Sequence, residues 1–219
     1  MKLNQVHRVS LSAYFFLSGL CFASWASRIP TIKASFNLND AQLGLFLLLM
    51  PLAALAGTEA SGCLVSKFDS IGSLCVSFVC FALTLVGISL VGTIFLLVVM
   101  LALFSIAMRV LNIAMNAQSI TLQGYFDTKI IGALHGIWSL GGVVGVLFST
   151  VMVKYAITMQ NHFISIALVT IVASLVAYKF SLTKDKSTSG NKLIIGKPDG
   201  FILYLGLLIF FAAICEGGM

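Results

Sequence analysis

Apolar runs of about 20 residues recur from one end of the chain to the other, and they constrain its fold more than anything else in it. A helix needs about that length to cross the hydrocarbon core of a bilayer. There, every backbone N–H and C=O must be satisfied within its own segment, so such runs fold as helices. The expectation is an all-α polytopic membrane protein. Composition agrees: 59% of residues are hydrophobic and 9% charged, where a soluble domain carries about 25% charge.

The runs predict spans near Val9–Ser27, Ala41–Val65, Ile71–Val91, Ile94–Ile120, Gly132–Val153 and Phe163–Leu182. A seventh begins near Gly200. Arg28, Pro30 and Lys33 close the first, which is expected to stay uncleaved. Asn39 or Asp40 is placed to cap the second. Residues 1–182 therefore form a six-span bundle, 183–199 a polar linker, and 200–219 the start of a further span.

The net charge of +6 would suggest nucleic acid in a soluble protein. Here it follows topology, because the basic residues sit at span ends and in loops. With the N-terminus in the cytoplasm, Lys2, Arg8, Lys67, Lys129, Lys179, Lys184, Lys186, Lys192 and Lys197 lie inside. Arg28, Lys33 and Lys154 lie outside, the asymmetry expected of an inserted helical protein. No nucleic-acid partner is expected; the lipid bilayer is.

Cys21, Cys63, Cys75, Cys80 and Cys215 all fall in apolar runs with no C-x-x-C spacing, so neither a metal site nor a disulfide framework is expected. Gly190 to Pro198 imitates a phosphate-binding loop, but its spacing is one residue too long and Pro198 stands where a magnesium-ligating hydroxyl is needed. No cofactor site and no catalytic constellation emerges, and an enzyme is not expected.

One stretch resists the apolar pattern. Met108 to Gln118 places an arginine and two asparagines inside the fourth span. At 100° per residue, Ser105, Arg109, Asn112 and Asn116 share one helical face, and Gln118 points away. A charge at mid-membrane costs about 2.5–3.5 kcal/mol. Arg109 should therefore face a water-filled cavity or a carboxylate: it either binds a solute or forms an ion pair inside the bundle. Glu59 in the second span and Glu216 in the seventh are the available acids. Each is either a structural partner or a proton- or solute-handling group. Asn112 and Asn116 either line a solute site or hydrogen-bond neighbouring helices. His135, in the fifth span, is either interfacial or a proton relay. In the same span, Gly141 and Gly145 form a G-x-x-x-G pair that lets another helix approach closely. Trp25 either lines the cavity or belongs to the aromatic belt at the membrane surface.

Four motifs occur in order: F-A-S-W-A-S-R-I-P-T at Phe22 to Thr31, N-I-A-M-N-A-Q at Asn112 to Gln118, L-H-G-I-W-S-L-G-G at Leu134 to Gly142, and C-E-G-G at Cys215 to Gly218. With six spans and a basic linker they resemble the first half of the major facilitator superfamily. The likeness is to a bacterial inner-membrane branch of fucose-permease-like transporters. It implies a six-helix N-terminal bundle built as a 3+3 inverted repeat, plus an incomplete seventh span. It further implies alternating access around a central cavity lined by the spans that carry Trp25, the Arg109 stripe and Glu216. The implied cargo is a small polar solute of sugar, polyol or drug-like type, with protons as a coupling ion through Glu59, Arg109 and Glu216.

The chain departs from that pattern in three places. Gly62 to Asp69, G-C-L-V-S-K-F-D, lacks the acid and arginine of the superfamily's loop between spans two and three. Asn112 stands where relatives often carry an acid, and Arg109 where a small residue is usual. Twelve spans would need roughly 400 residues, so a truncated form is expected. It would need the missing C-terminal half or a second chain, or else act as a non-transporting remnant or assembly protein.

Overall fold

The computed structural model describes residues 3–67, 70–182 and 199–217, with residues 59–60, 62–67, 70, 202, 209–210 and 212–217 described by backbone alone. The helices are α1 (Leu3–Ala26), α2 (Ile29–Ser35), α3 (Asp40–Lys67), α4 (Ser70–Leu90), α5 (Ile94–Gln123), α6 (Ile131–Lys154), α7 (Met159–Tyr178) and α8 (Gly200–Gly217). Among the described residues there is no strand, and six helical segments are long and apolar enough to cross a membrane. The chain is an all-α, multi-pass membrane protein.

Local sequence sets the boundaries. Asn39 accepts from the Gln42 N–H at 2.8 Å while the Gln42 side chain accepts from the Asn39 N–H at 3.0 Å. This reciprocal cap starts α3 where expected. Thr93 caps α5 through its hydroxyl and Thr158 caps α7 the same way. The Gln123 side chain accepts from Ile130 N–H at 2.7 Å and donates to the Thr128 carbonyl at 2.9 Å, closing the turn into α6.

One boundary differs from expectation. Arg28, Pro30 and Lys33 do end the first span, but Arg28 is also the N-cap, and Pro30 and Lys33 are members, of a short helix, α2, that the apolar pattern does not predict. Pro30 sits in its first turn, where a missing N–H costs nothing. Lys33 pairs with Asp40 across the bend to α3. Asn37 takes the left-handed conformation there (φ 50°), which asparagine tolerates better than most residues.

The long helices pack in a recurring pattern. The extensive pairings are α1 with α6, α3 with α5, α4 with α5, α1 with α7, and α4 with α7. Exchange α1, α3 and α4 for α5, α6 and α7, and this set of pairings maps onto itself. That is the packing signature of a bundle built from two three-helix units, as a 3+3 repeat requires.

Close approach of α1 and α6 depends on glycine. A β-carbon at Gly141 would land on the Phe16 carbonyl, and one at Gly19 on the Trp138 carbonyl. At Gly145 it would lie 2.7 Å from the Leu20 carbonyl. The G-x-x-x-G pair thus admits a neighbouring helix as expected, and α1 answers with a glycine of its own. Around this contact, aromatic side chains link three helices: Phe81 of α4 stacks on Phe104 of α5 at 4.6 Å, Phe104 meets Trp25 of α1 at 5.6 Å, and Trp25 meets Phe22 at 5.7 Å.

Candidate functional site

The polar stripe of α5 opens onto a cavity of about 380 Å³. Phe22 and Trp25 of α1, Leu47, Met50, Pro51 and Ala54 of α3, and Ser105, Met108, Arg109 and Asn112 of α5 line it. The wall is mostly apolar with a few convergent polar groups, and the volume falls in the range of small-molecule sites.

Packing with α3 positions Arg109. Gly57 lets the two helices approach so closely that a β-carbon there would sit 2.9 Å from the β-carbon of Arg109. The Arg109 Nε donates to the Thr58 hydroxyl at 3.1 Å. Thr58 in turn donates to the Ala54 carbonyl at 3.3 Å, so its oxygen is free to accept. The arginine itself is exposed.

The two asparagines are joined. Asn116 Nδ2 donates to the Asn112 backbone carbonyl at 2.9 Å and to the Asn112 side-chain oxygen at 2.6 Å. Asn112 lines the cavity and Asn116 braces it from one turn below. Gln118, on the opposite face, is buried and donates to the Leu182 carbonyl at 3.1 Å. It ties α5 to the end of the α7 segment.

Trp25 is 4% exposed and packs within the core, which rules out a place in an interfacial belt. Its Nε1 is a buried donor with no hydrogen-bond partner. His135 is not brought to this cavity. It lies exposed on α6 with its ring edge-on to Phe15 at 5.3 Å. The side chains of Glu59 and Glu216, the loop motif at Gly62 to Asp69 and the linker from Thr183 to Pro198 lie outside the described residues and side chains. Among the described residues, no group of His, Cys, Asp and Glu could hold a metal ion.

A second polar cluster escaped the sequence reading. Arg28, expected as an external topology charge, is 5% exposed. Its Nε donates to His162 Nδ1 at 3.1 Å and its Nη2 to the Ile157 carbonyl at 2.9 Å. His162, expected in a loop, is fully buried between Phe148 and Phe163, with Nε2 3.5 Å from the Ser149 hydroxyl. Accepting from Arg28 at Nδ1 fixes His162 as the tautomer with its hydrogen on Nε2. The cluster clamps the α1–α2 bend to α6, to α7 and to the turn between them.

The chain is 27% identical, over 97% of its length, to an uncharacterized MFS-type transporter of Yersinia pestis, of which it covers 55%. Its likeness to MFS-type transporters is the family signal it carries. It is 28% identical over 94% of its length to membrane protein MosC of Rhizobium meliloti, covering 50% of that protein. An uncharacterized transporter of Sinorhizobium fredii matches 70% of the chain at 25% identity, with 41% of the transporter covered. The chain spans about half the length of the curated relatives it matches. No family profile and no solved structure matches it. Two of these three relatives are named as transporters.

Proposed function

We propose that the chain is part of a secondary active transporter of the major facilitator type, from the fucose-permease-like branch. In this reading it sits in a bacterial inner membrane with its N-terminus in the cytoplasm. The cargo is a small polar solute of sugar, polyol or drug-like character, carried by alternating access. Trp25, Arg109 and Asn112 contact the solute, Asn116 orients Asn112, and Glu216 of the seventh span is a further candidate. Glu59, Arg109 and Glu216 are the groups through which protons would couple to movement, and His135, one turn inside the start of α6, is a candidate proton relay. The missing partner of the bundle is a C-terminal half or a second chain.

The observation that carries this reading is the exposed Arg109 at mid-helix, opening on a cavity between α1, α3 and α5. A structural arginine at that depth would be expected to be packed away with its partners. The test is uptake by proteoliposomes of candidate solutes, with and without a pH gradient. Arg109→Ala is expected to cut uptake by about 100-fold and Asn116→Ala by about tenfold, as loss of a charged and of a neutral hydrogen-bonding group would. Wild-type uptake in both variants would remove the stripe from the site.

A further inference from the structure

We infer that the cavity is built for an organic anion, a carboxylate-bearing solute in preference to a neutral polyol. This rests on the solute-site reading above and narrows its substrate class.

The inference comes from accounting for each polar atom in the wall. Asn116 Nδ2 must be a nitrogen, because it meets the Asn112 backbone carbonyl, which only accepts. The atom of the Asn112 amide that the same nitrogen meets must then be the oxygen. Asn112 therefore turns its NH2 group, not its oxygen, away from Asn116. The hydroxyl of Ser105 donates to the Leu101 carbonyl at 2.8 Å and that of Thr58 to the Ala54 carbonyl, so neither has a hydrogen left to give. Arg109 spends Nε on Thr58 and keeps its terminal nitrogens. Trp25, in the same wall, holds an N–H that is buried without a partner.

Among the described side chains the wall thus presents hydrogens from a guanidinium and an amide, against the hydroxyl oxygen of Ser105, with the Trp25 N–H buried behind it. No carboxylate lines it among the described residues. A neutral polyol brings as many donors as acceptors and would leave its hydroxyl hydrogens unpaired in an apolar cavity, at a penalty for each. A carboxylate brings acceptors alone and matches the planar fork of an arginine. The apolar remainder, Phe22, Leu47 and Met50, accommodates the solute's carbon frame.

The experiment compares carboxylates with their own amides, which keep the shape and exchange a charged acceptor for a donor. The protein carries two tryptophans, so Trp138→Phe leaves Trp25 as the sole reporter. Its emission is titrated with gluconate, benzoate and lactate, with the three corresponding amides, and with sorbitol. At least one carboxylate is expected to bind about tenfold or more tightly than its amide. Arg109→Gln should abolish that preference, and Arg109→Lys should keep it, which separates lost charge from lost fold. Equal binding of acids and amides, tighter binding of sorbitol, or a preference that survives Arg109→Gln would overturn the anion assignment while leaving a solute site in place. If no compound of any class moves Trp25 emission, both the assignment and the solute-site reading fall.

Discussion

Gly141→Ala is expected to destabilise the bundle by about 3 kcal/mol, because the added methyl group falls on the backbone carbonyl of Phe16 and not on a side chain that can turn aside. The α1–α6 interface is the most extensive among the described residues, and glycines on both sides let it close. Relief would require α1 and α6 to separate, and that would loosen the aromatic contacts of Trp25 and the wall of the cavity with them. The matched control is Gly136→Ala on the same helix, where a β-carbon meets nothing within 4 Å. That change should be neutral or stabilising by up to about 1 kcal/mol, from helix propensity alone. Thermal unfolding in detergent, followed by circular dichroism, compares the two. Equal stability of the variants would show that the close approach is not under steric control.

Arg28→Ala is the second large effect expected, at about 2–4 kcal/mol. Truncation leaves the buried His162 Nδ1 without its donor and takes a partner from the part-buried Ile157 carbonyl. Arg28→Lys should recover only part of the loss, since one ammonium cannot reproduce two donors fixed in a plane. His162→Gln, which offers an accepting oxygen in place of Nδ1, should be milder than His162→Leu, which offers none. The loss should concentrate where the clamp acts. Limited proteolysis at the Tyr155 to Thr158 turn is expected to accelerate in Arg28→Ala before the rest of the bundle is cut. Uniform cleavage across the chain would argue against a local clamp.

Much of this molecule was legible in its sequence because hydrocarbon punishes exceptions. The apolar runs announced the spans, and the arginine and asparagines of α5 announced a polar face that the structure opens onto a cavity. The glycine pair of α6 announced a close helix contact. Its partner could not be read, since Gly19 is a single glycine in an apolar helix, and only the packing shows it beside the Trp138 carbonyl. The α3 wall was equally silent: Leu47, Met50, Pro51 and Ala54 are apolar residues in an apolar span, and nothing in their identity separates cavity lining from lipid contact. Arg28 and His162 were misread for a different reason. Charged and polar residues at span ends are usually topology signals, and the clamp forms between segments more than a hundred residues apart. Trp25 stood at the same helix end, where a belt position and a buried one look alike until Phe81 and Phe104 are seen to extend the aromatic row behind it. Helix α2 was missed because Pro30, two residues beyond Arg28, reads as a stop, although proline is well tolerated in a first helical turn.

The central claim, that the space between α1, α3 and α5 is where solute binds, is tested most directly by protection of a cysteine placed in its wall. In a background without the native cysteines, Ala54→Cys is labelled with a small thiol reagent in the presence and absence of a transported solute. Tyr155→Cys, in the exposed turn after α6, serves as the remote control. Saturating solute is predicted to slow labelling at position 54 by about tenfold, as an occupied site held well above its dissociation constant would, and to leave position 155 unchanged. Uptake that persists while solute protects neither position, or both equally, would contradict the account.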